Sequence, residues 1–355
     1  MVPVVDLSRH GLVAADQFGE RVADIVRRGV YLLGPETTAF ESEFAGWLGA
    51  VHAVAVSSGA SALQLALAAL DIGPGDEVIV PAFTAVPTAA AVCALGAIPV
   101  PVDVEAHSAN LDPALVGAAI TGRTRAIIAV HLYGRPATLP EAGLAAGVPV
   151  VEDAAQAHGA VRDHGASAAV CYSFYPTKNL GGIGDGGAVV TRDAALAERV
   201  RNLRVHGMTE QYRHEAVSQN FRMSEVEAAW LRLGLRELDR WTQRRRDIAR
   251  RYRAAAPQLR WQADHADHVY HLCVARVAGR DRVRAGLGDA GVATAVHYPH
   301  ALTQQPAYRR FTRTACPVAE MWAAECLSVP CFPDLTEAEI ATVEATLADI
   351  SPDDR

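Results

Sequence analysis

The sequence predicts an α/β protein built on a mostly parallel sheet, and three observations carry that expectation. Apolar, β-prone runs recur at 51–56, 77–80, 98–104, 126–130 and 148–151, with helical or turn-rich segments between them. They are continuous rather than alternating, as parallel strands covered on both faces by crossover helices are. The chain has 355 residues, 50% of them hydrophobic and 21% charged, enough for a large core and two domains.

Residues 1 to about 30 predict an arm and an amphipathic helix with Val22, Ile25 and Val26 at helical spacing, broken by Tyr31-Leu-Leu-Gly-Pro35. A second helix, 36–48, sets Phe40, Phe44 and Trp47 on one face, a stripe suited to the core. The strand at 51–56 ends in Ser57-Ser-Gly-Ala-Ser61, and a helix rich in alanine and leucine follows to Leu70. A strand entering a helix this way leaves unpaired N–H groups that can hold an anion, although an ordinary capped helix uses the same residues.

Further on, 170–175, a glycine cluster and 188–190 read as strand, exposed loop, strand. The cluster Gly182-Ile-Gly-Asp-Gly-Gly187 fits G-x-G-x-x-G, but a strand follows it where the dinucleotide fingerprint needs a helix, so it reads as a turn. Residues 223–252 predict one long helical stretch with apolar positions at 226, 230, 233, 241, 248 and 252, and with Arg244, Arg245 and Arg246 on a solvated face. Beyond it, strands and helices around 269–277 and 292–297 suffice for a second, smaller domain. The expected division is an arm and helix at 1–30, a large domain at 31–240 and a small C-terminal domain at 241–355.

Composition excludes several functions. A net charge of −7, a pI near 6.0 and the lack of a basic block argue against a nucleic-acid partner. The N-terminus shows no secretory pattern and no apolar run reaches the roughly 18 residues of a membrane span, so a cytoplasmic protein is expected. The six cysteines form no C-x-x-C pair and the 13 histidines no H-E-x-x-H, which leaves zinc, disulfide and metal chemistry without support.

One residue stands out against this background. Of the 33 Lys and Arg residues a single one is lysine, Lys178, set in Ser173-Phe-Tyr-Pro-Thr-Lys-Asn-Leu-Gly181 where a strand ends. An arginine stays protonated, whereas a desolvated lysine can lose its proton and attack a carbonyl. A lone lysine displayed in this way points to a Schiff base, with pyridoxal phosphate as the partner. Asp153 and Gln156, in Val150-Val-Glu-Asp-Ala-Ala-Gln156, lie at the carboxyl end of another apolar strand, where open α/β sheets bind ligands. Pyridoxal chemistry needs an anion at the ring nitrogen, and Asp153 suits that role, with Gln156 able to donate to the phenolic oxygen.

Together with Gly73-Pro-Gly-Asp-Glu-Val-Ile79, His131-Leu-Tyr-Gly134, Gly184-Asp-Gly-Gly-Ala188 and His297-Tyr-Pro299, these stretches resemble, in order and from about Leu7 to Phe332, the DegT/DnrJ/EryC1/StrS family of sugar aminotransferases. The resemblance implies the aspartate-aminotransferase type I fold, a large domain with a mostly parallel seven-stranded sheet plus a smaller C-terminal α/β domain, and a homodimer sharing its active sites. It gives Lys178 the Schiff base, Asp153 the ring nitrogen and Gln156 the ring hydroxyl. The amides of Gly59 and Ala60 and the Ser173 hydroxyl take the phosphate, Asn220 reaches it from the neighbouring subunit, and His297 touches the sugar. The implied reaction moves the amino group of L-glutamate to a keto sugar carried on a nucleotide, and the wording around Lys178 favours 3-keto over 4-keto substrates.

Departures from the family pattern are Ala60 in place of threonine, Ala85 in place of an aromatic, Thr303 in place of histidine, and a short stretch at 161–170. Rival readings are a keto-inositol aminotransferase and a non-catalytic regulator that keeps the fold. A dehydratase of the same fold carries histidine in place of the lysine, which Lys178 argues against.

Overall fold

The computed structural model describes residues 1–11, 15–160 and 166–350. Residues 161–165, half of the short stretch noted at 161–170, thus lie outside the described residues. The central sheet has seven strands: β1 (His52–Val56), β2 (Glu77–Pro81), β3 (Ile98–Val102), β4 (Thr124–Val130), β5 (Val150–Asp153), β6 (Ala169–Ser173) and β7 (Gly187–Thr191), in the order β1-β7-β6-β5-β4-β2-β3. Only β7 runs against its neighbours, β1 and β6; the other pairings are parallel.

The continuous apolar runs have the expected cause. In β1, Val54 and Val56 pack with the helix Gly59–Ala69 on one face, while Ala53 and Ala55 pack with Phe40 and Phe44 of the helix Pro35–Leu48 on the other. In β4, Ile128 and Ile127 divide between faces in the same way. Side chains alternate along a strand, so burial on both faces favours apolar residues at consecutive positions.

A hairpin, β8 (Met208–Glu210) and β9 (Arg213–His214), stands exposed. A second sheet is antiparallel, β10 (Arg260–Trp261), β11 (Cys273–Arg276) and β12 (Cys326–Val329). It shares a core with the helices Leu238–Ala255, Arg280–Asp289 and Glu337–Ala348 and with Val2 of the arm. Among the described residues no helix is long and apolar enough to cross a membrane.

Three expectations need correction. The stretch 223–252 is two helices, Glu225–Leu235 and Leu238–Ala255, that part at Arg236 and Glu237, just after Gly234 and without proline or a side-chain cap. Arg245 is not solvated. It falls on the stripe formed by Leu238, Trp241, Ile248 and Tyr252, is 6% exposed, and donates to the carbonyls of Tyr270, His271 and Cys331. Three consecutive residues sweep about 200° of a helix, so one of three arginines can face the core. Finally, 269–272 is not strand: Val269 and Leu272 donate to the carbonyls of Gly134 and Tyr133 beside the large sheet. Residues 292–297 contribute only two isolated bridges, from Val292 to Val2 and from Ala295 to Ser328.

The Gly34 to Pro35 entry is held by a buried acid. Glu225, fully buried, accepts hydrogen bonds from the backbone N–H of Gly34, Glu36 and Thr37, each at 2.9 Å, and from Thr37 Oγ1. An unmet buried donor costs about 1–3 kcal/mol. Glu225→Ala is therefore expected to lower unfolding free energy by about 3 kcal/mol or more in urea at fixed protein concentration, and Glu225→Gln by less. A loss below about 1 kcal/mol would contradict the capping role.

Candidate active site

Strand register assembles the site. Gly187, the first residue of β7, pairs with Val56 of β1 on one side and Ser173 of β6 on the other, and Asp153 pairs with Cys171 two residues before Ser173. The carboxyl ends of β1, β5 and β6 thus converge on one edge. A side chain at Gly59 would meet Ser173 Cβ at 2.5 Å, so only glycine lets the start of the helix Gly59–Ala69 lie against Ser173.

At that helix start Ser58 is the N-cap, accepting from Ser61 N at 3.1 Å, and the first helical bond runs from Ala62 N to Ser58 O. The amides of Gly59 and Ala60 precede it, and Ala60 is exposed. The structure thus contains both the cap and the anion-ready amides that the sequence left as alternatives. His158, fully buried, donates from Nε2 to the Ser173 carbonyl at 3.0 Å, which fixes its tautomer, since a carbonyl only accepts.

Lys178 lies in the turn after β6, its backbone N–H on Tyr175 O at 2.8 Å. Burial pushes its amine down to about 8, with the charge of Asp153 pulling the other way. Burial and then the nearby lysine charge hold His158 at about 3, His297 at about 4 and His271 well below its usual range. The lysine is thus ringed by neutral imidazoles. The next residue, Asn179, ties the turn to the second sheet: Nδ2 donates to Val269 O at 3.0 Å, and Oδ1 lies 3.2 Å from His271 Nδ1.

Asp153 is 6% exposed, and burial raises its pKa. Its Oδ1 accepts from Ala155 N at 3.1 Å and its Oδ2 from Thr88 Oγ1 at 2.9 Å. Gln156 Oε1 accepts from Tyr133 N at 2.6 Å, which fixes the amide and turns Nε2 toward Tyr298 OH at 3.0 Å. The Tyr133 hydroxyl in turn bonds to the His297 carbonyl, and His297 Nδ1 lies 2.9 Å from Ser328 Oγ.

Lys178, Asp153, Gln156, Ser173, Gly59, Ala60 and His297 therefore share one region. Asn220 does not join them through its side chain, which is exposed and accepts from Arg222 Nε at 2.9 Å. Of the departures, Ala85 precedes the helix Val86–Ala94 and Thr303 bonds to Glu320 at 2.8 Å. The sequence reading passed over Thr88, Tyr133 and His158. Tyr133 and His158 stood inside quoted motifs, whereas Thr88 carried no signal.

The set fits pyridoxal phosphate on its chemistry: an amine that can be neutral near pH 8, a buried acid for the ring nitrogen, an amide whose free hand is a donor, and an open helix N-terminus for phosphate. Residues 14–348 match the DegT/DnrJ/EryC1/StrS aminotransferase family. The chain is 46% identical to a Saccharopolyspora erythraea protein named erythromycin biosynthesis sensory transduction protein EryC1, over 98% of each chain. It is 44% identical to the dTDP-3-amino-3,4,6-trideoxy-alpha-D-glucose transaminase of Streptomyces venezuelae, over 96% of this chain and 94% of that one. Its fold superimposes on a crystal structure of S. venezuelae DesV in complex with a ketimine intermediate, with a TM-score of 0.94 and 43% identity over 98% of each chain.

In cofactor-free protein, competitive labelling with acetic anhydride should give Lys178 a midpoint near pH 8, where an ordinary lysine titrates near 10.4. Asp153 favours the charged amine, so Asp153→Asn should move the midpoint lower; an upward move or a midpoint near 10 would contradict the environment described.

Proposed function

The chain belongs to the DegT/DnrJ/EryC1/StrS family of pyridoxal-phosphate-dependent aminotransferases, and we propose that it moves the amino group of L-glutamate to a keto carbon of a nucleotide-linked deoxyhexose. The sugar is dTDP-linked and aminated at C3 in preference to C4, in the making of an amino sugar for an antibiotic or glycan. The observation that carries the reading is the only lysine of the chain, desolvated and coupled to buried Asp153. The substrate class is supported by the S. venezuelae relative, named for a dTDP-3-amino sugar.

The cofactor, when bound, carries the amino group between two half-reactions and draws electrons from the reacting carbon. Lys178 Nζ holds it and, once released, takes a proton from the donor's Cα and returns one to the acceptor's keto carbon. Asp153 keeps the ring nitrogen protonated, and Gln156 Nε2 donates to the ring hydroxyl oxygen. Gly59 N, Ala60 N and Ser173 Oγ take the phosphate, and His297 faces the sugar.

Asn220 completes the phosphate site from a second copy in a homodimer. An exposed apolar strip supports that assembly: Tyr31 is 54% exposed and Leu32 44%, Leu32 bridges to Ser224, and Tyr175 and Ile183 flank the lysine turn at 52% and 50%. The same reading divides the chain at about residues 30 and 240, as the sequence suggests.

A regulator without catalysis is favoured by the sensory transduction name of the S. erythraea relative. Glutamate added to holoprotein decides between them, because only an enzyme passes its amino group on. With dTDP-linked 3-keto and 4-keto deoxyhexoses and a keto-inositol as acceptors, the 3-amino sugar is expected, identified by NMR. Turnover of the cyclitol alone, or of nothing, would overturn the proposal.

Borohydride reduction of the holoprotein should fix the cofactor to the one peptide containing Lys178, and label elsewhere would count against its role. Asp153→Asn should keep the cofactor yet lose at least about a hundredfold in turnover, roughly the 2.7 kcal/mol of one strong electrostatic contact. Near-normal turnover would remove the ring-nitrogen role.

A further inference from the structure

We propose that Thr88, seconded by Thr84, is the positioning residue that keeps Asp153 ionised and aimed at the cofactor, through a one-way relay of hydroxyl hydrogen bonds. The inference rests on the Asp153 role proposed above.

Thr88 is fully buried in the first turn of the helix Val86–Ala94, 65 residues from Asp153 in the chain, and Thr84, 3% exposed, lies just before that helix. Thr88 Oγ1 is 2.9 Å from Asp153 Oδ2 and 3.0 Å from Thr84 Oγ1. An ionised carboxylate only accepts, so Thr88 spends its one proton on Asp153. Its remaining lone pairs then accept from Thr84, which sets the direction Thr84 to Thr88 to Asp153. With Ala155 N on Oδ1, each carboxylate oxygen holds one protein donor, and the carboxylate plane is fixed from two sides.

Burial alone favours the protonated acid, which carries no charge to stabilise a protonated ring nitrogen. The donors work against burial, Ala155 N first and Thr88 next, followed by the charge of Lys178. Other groups facing this carboxylate are Cys171 of β6 and Tyr298, both neutral at working pH. His131 Nδ1 accepts from Ala137 N at 2.9 Å and its Nε2 lies 2.8 Å from Glu152 Oε2, so that imidazole is already committed. Thr88 is thus the side-chain hydroxyl in direct contact with Asp153.

The test compares Thr88→Val, Thr88→Ser and Thr84→Val. Valine keeps the shape and removes the hydroxyl. Expected for Thr88→Val is about a tenfold or greater rise in the dissociation constant of pyridoxal phosphate, read by equilibrium dialysis, since hydrogen bonds to charged groups are the stronger class. A less readily ionised Asp153 also moves the acid limb of the glutamate half-reaction to higher pH. Thr88→Ser should restore both, and Thr84→Val should shift the limb in the same direction by less.

An unmoved limb and dissociation constant in Thr88→Val, or a serine variant as impaired as the valine one, would overturn the relay. If Thr88→Val does not fold, Thr84→Val with an unmoved limb overturns it as well. Failure of the parent reading looks different: Asp153→Asn would then turn over normally, whatever the threonine variants do.

Discussion

The structure depends on one electrostatic constraint, the burial of an amine and a carboxylic acid within reach of each other where the strands end. Desolvation drives both toward neutrality, lowering Lys178 and raising Asp153, while each charge restrains the other. Such a pair is poised, because modest changes in the surroundings decide which form dominates. The surroundings are accordingly stripped of competing charge. His158, His271 and His297 are held neutral, and Arg245 reaches backbone carbonyls instead of entering the site as a free cation.

How the fold delivers that pair follows from register. Gly187, Val56 and Ser173 are side by side because β7 runs antiparallel between β1 and β6. The reversal needs a tight return after Lys178, which the glycine loop supplies. Glu227, 4% exposed, lies under that loop, takes backbone N–H groups of Gly184 and Ile183, and is pushed up to about 7 by burial. A side chain at Gly182 would overlap its carboxyl group, so the loop's composition is set by this acid and by the need to turn. The phosphate-binding fingerprint that the same glycines mimic has no part in it.

Much of this was legible in sequence, and the reason differs from residue to residue. The strands announced themselves because burial on both faces leaves a continuous apolar record, and Lys178 because arginine replaced lysine everywhere else. Asp153 and Gln156 were legible from their place at the end of β5. The relay through Thr88 was not, since a threonine near a helix start has the same appearance whether it faces solvent or a carboxylate 65 residues away. The break at Arg236 was hard to read because its one mark, Gly234, sits alone inside a helical pattern that continues on both sides. Arg245 misled because charge dominates the reading of an arginine, while its position on the apolar stripe was the better guide to where it goes.

The join between the two sheets carries the last step. Asn179 holds Val269, Tyr133 holds His297, Gln156 holds Tyr298, and Val269 and Leu272 return to Gly134 and Tyr133. These are hydrogen bonds between neutral groups, several of them to main-chain atoms. Salt screens charges and leaves buried neutral hydrogen bonds almost untouched. A joint built this way holds its geometry across ionic strengths, and it adds no charge to a site where the balance between Lys178 and Asp153 is the working quantity. A salt bridge in the same place would fix the sheets no better and would shift both pKa values. The site therefore leaves the alignment of its amine and acid to groups that stay neutral at working pH.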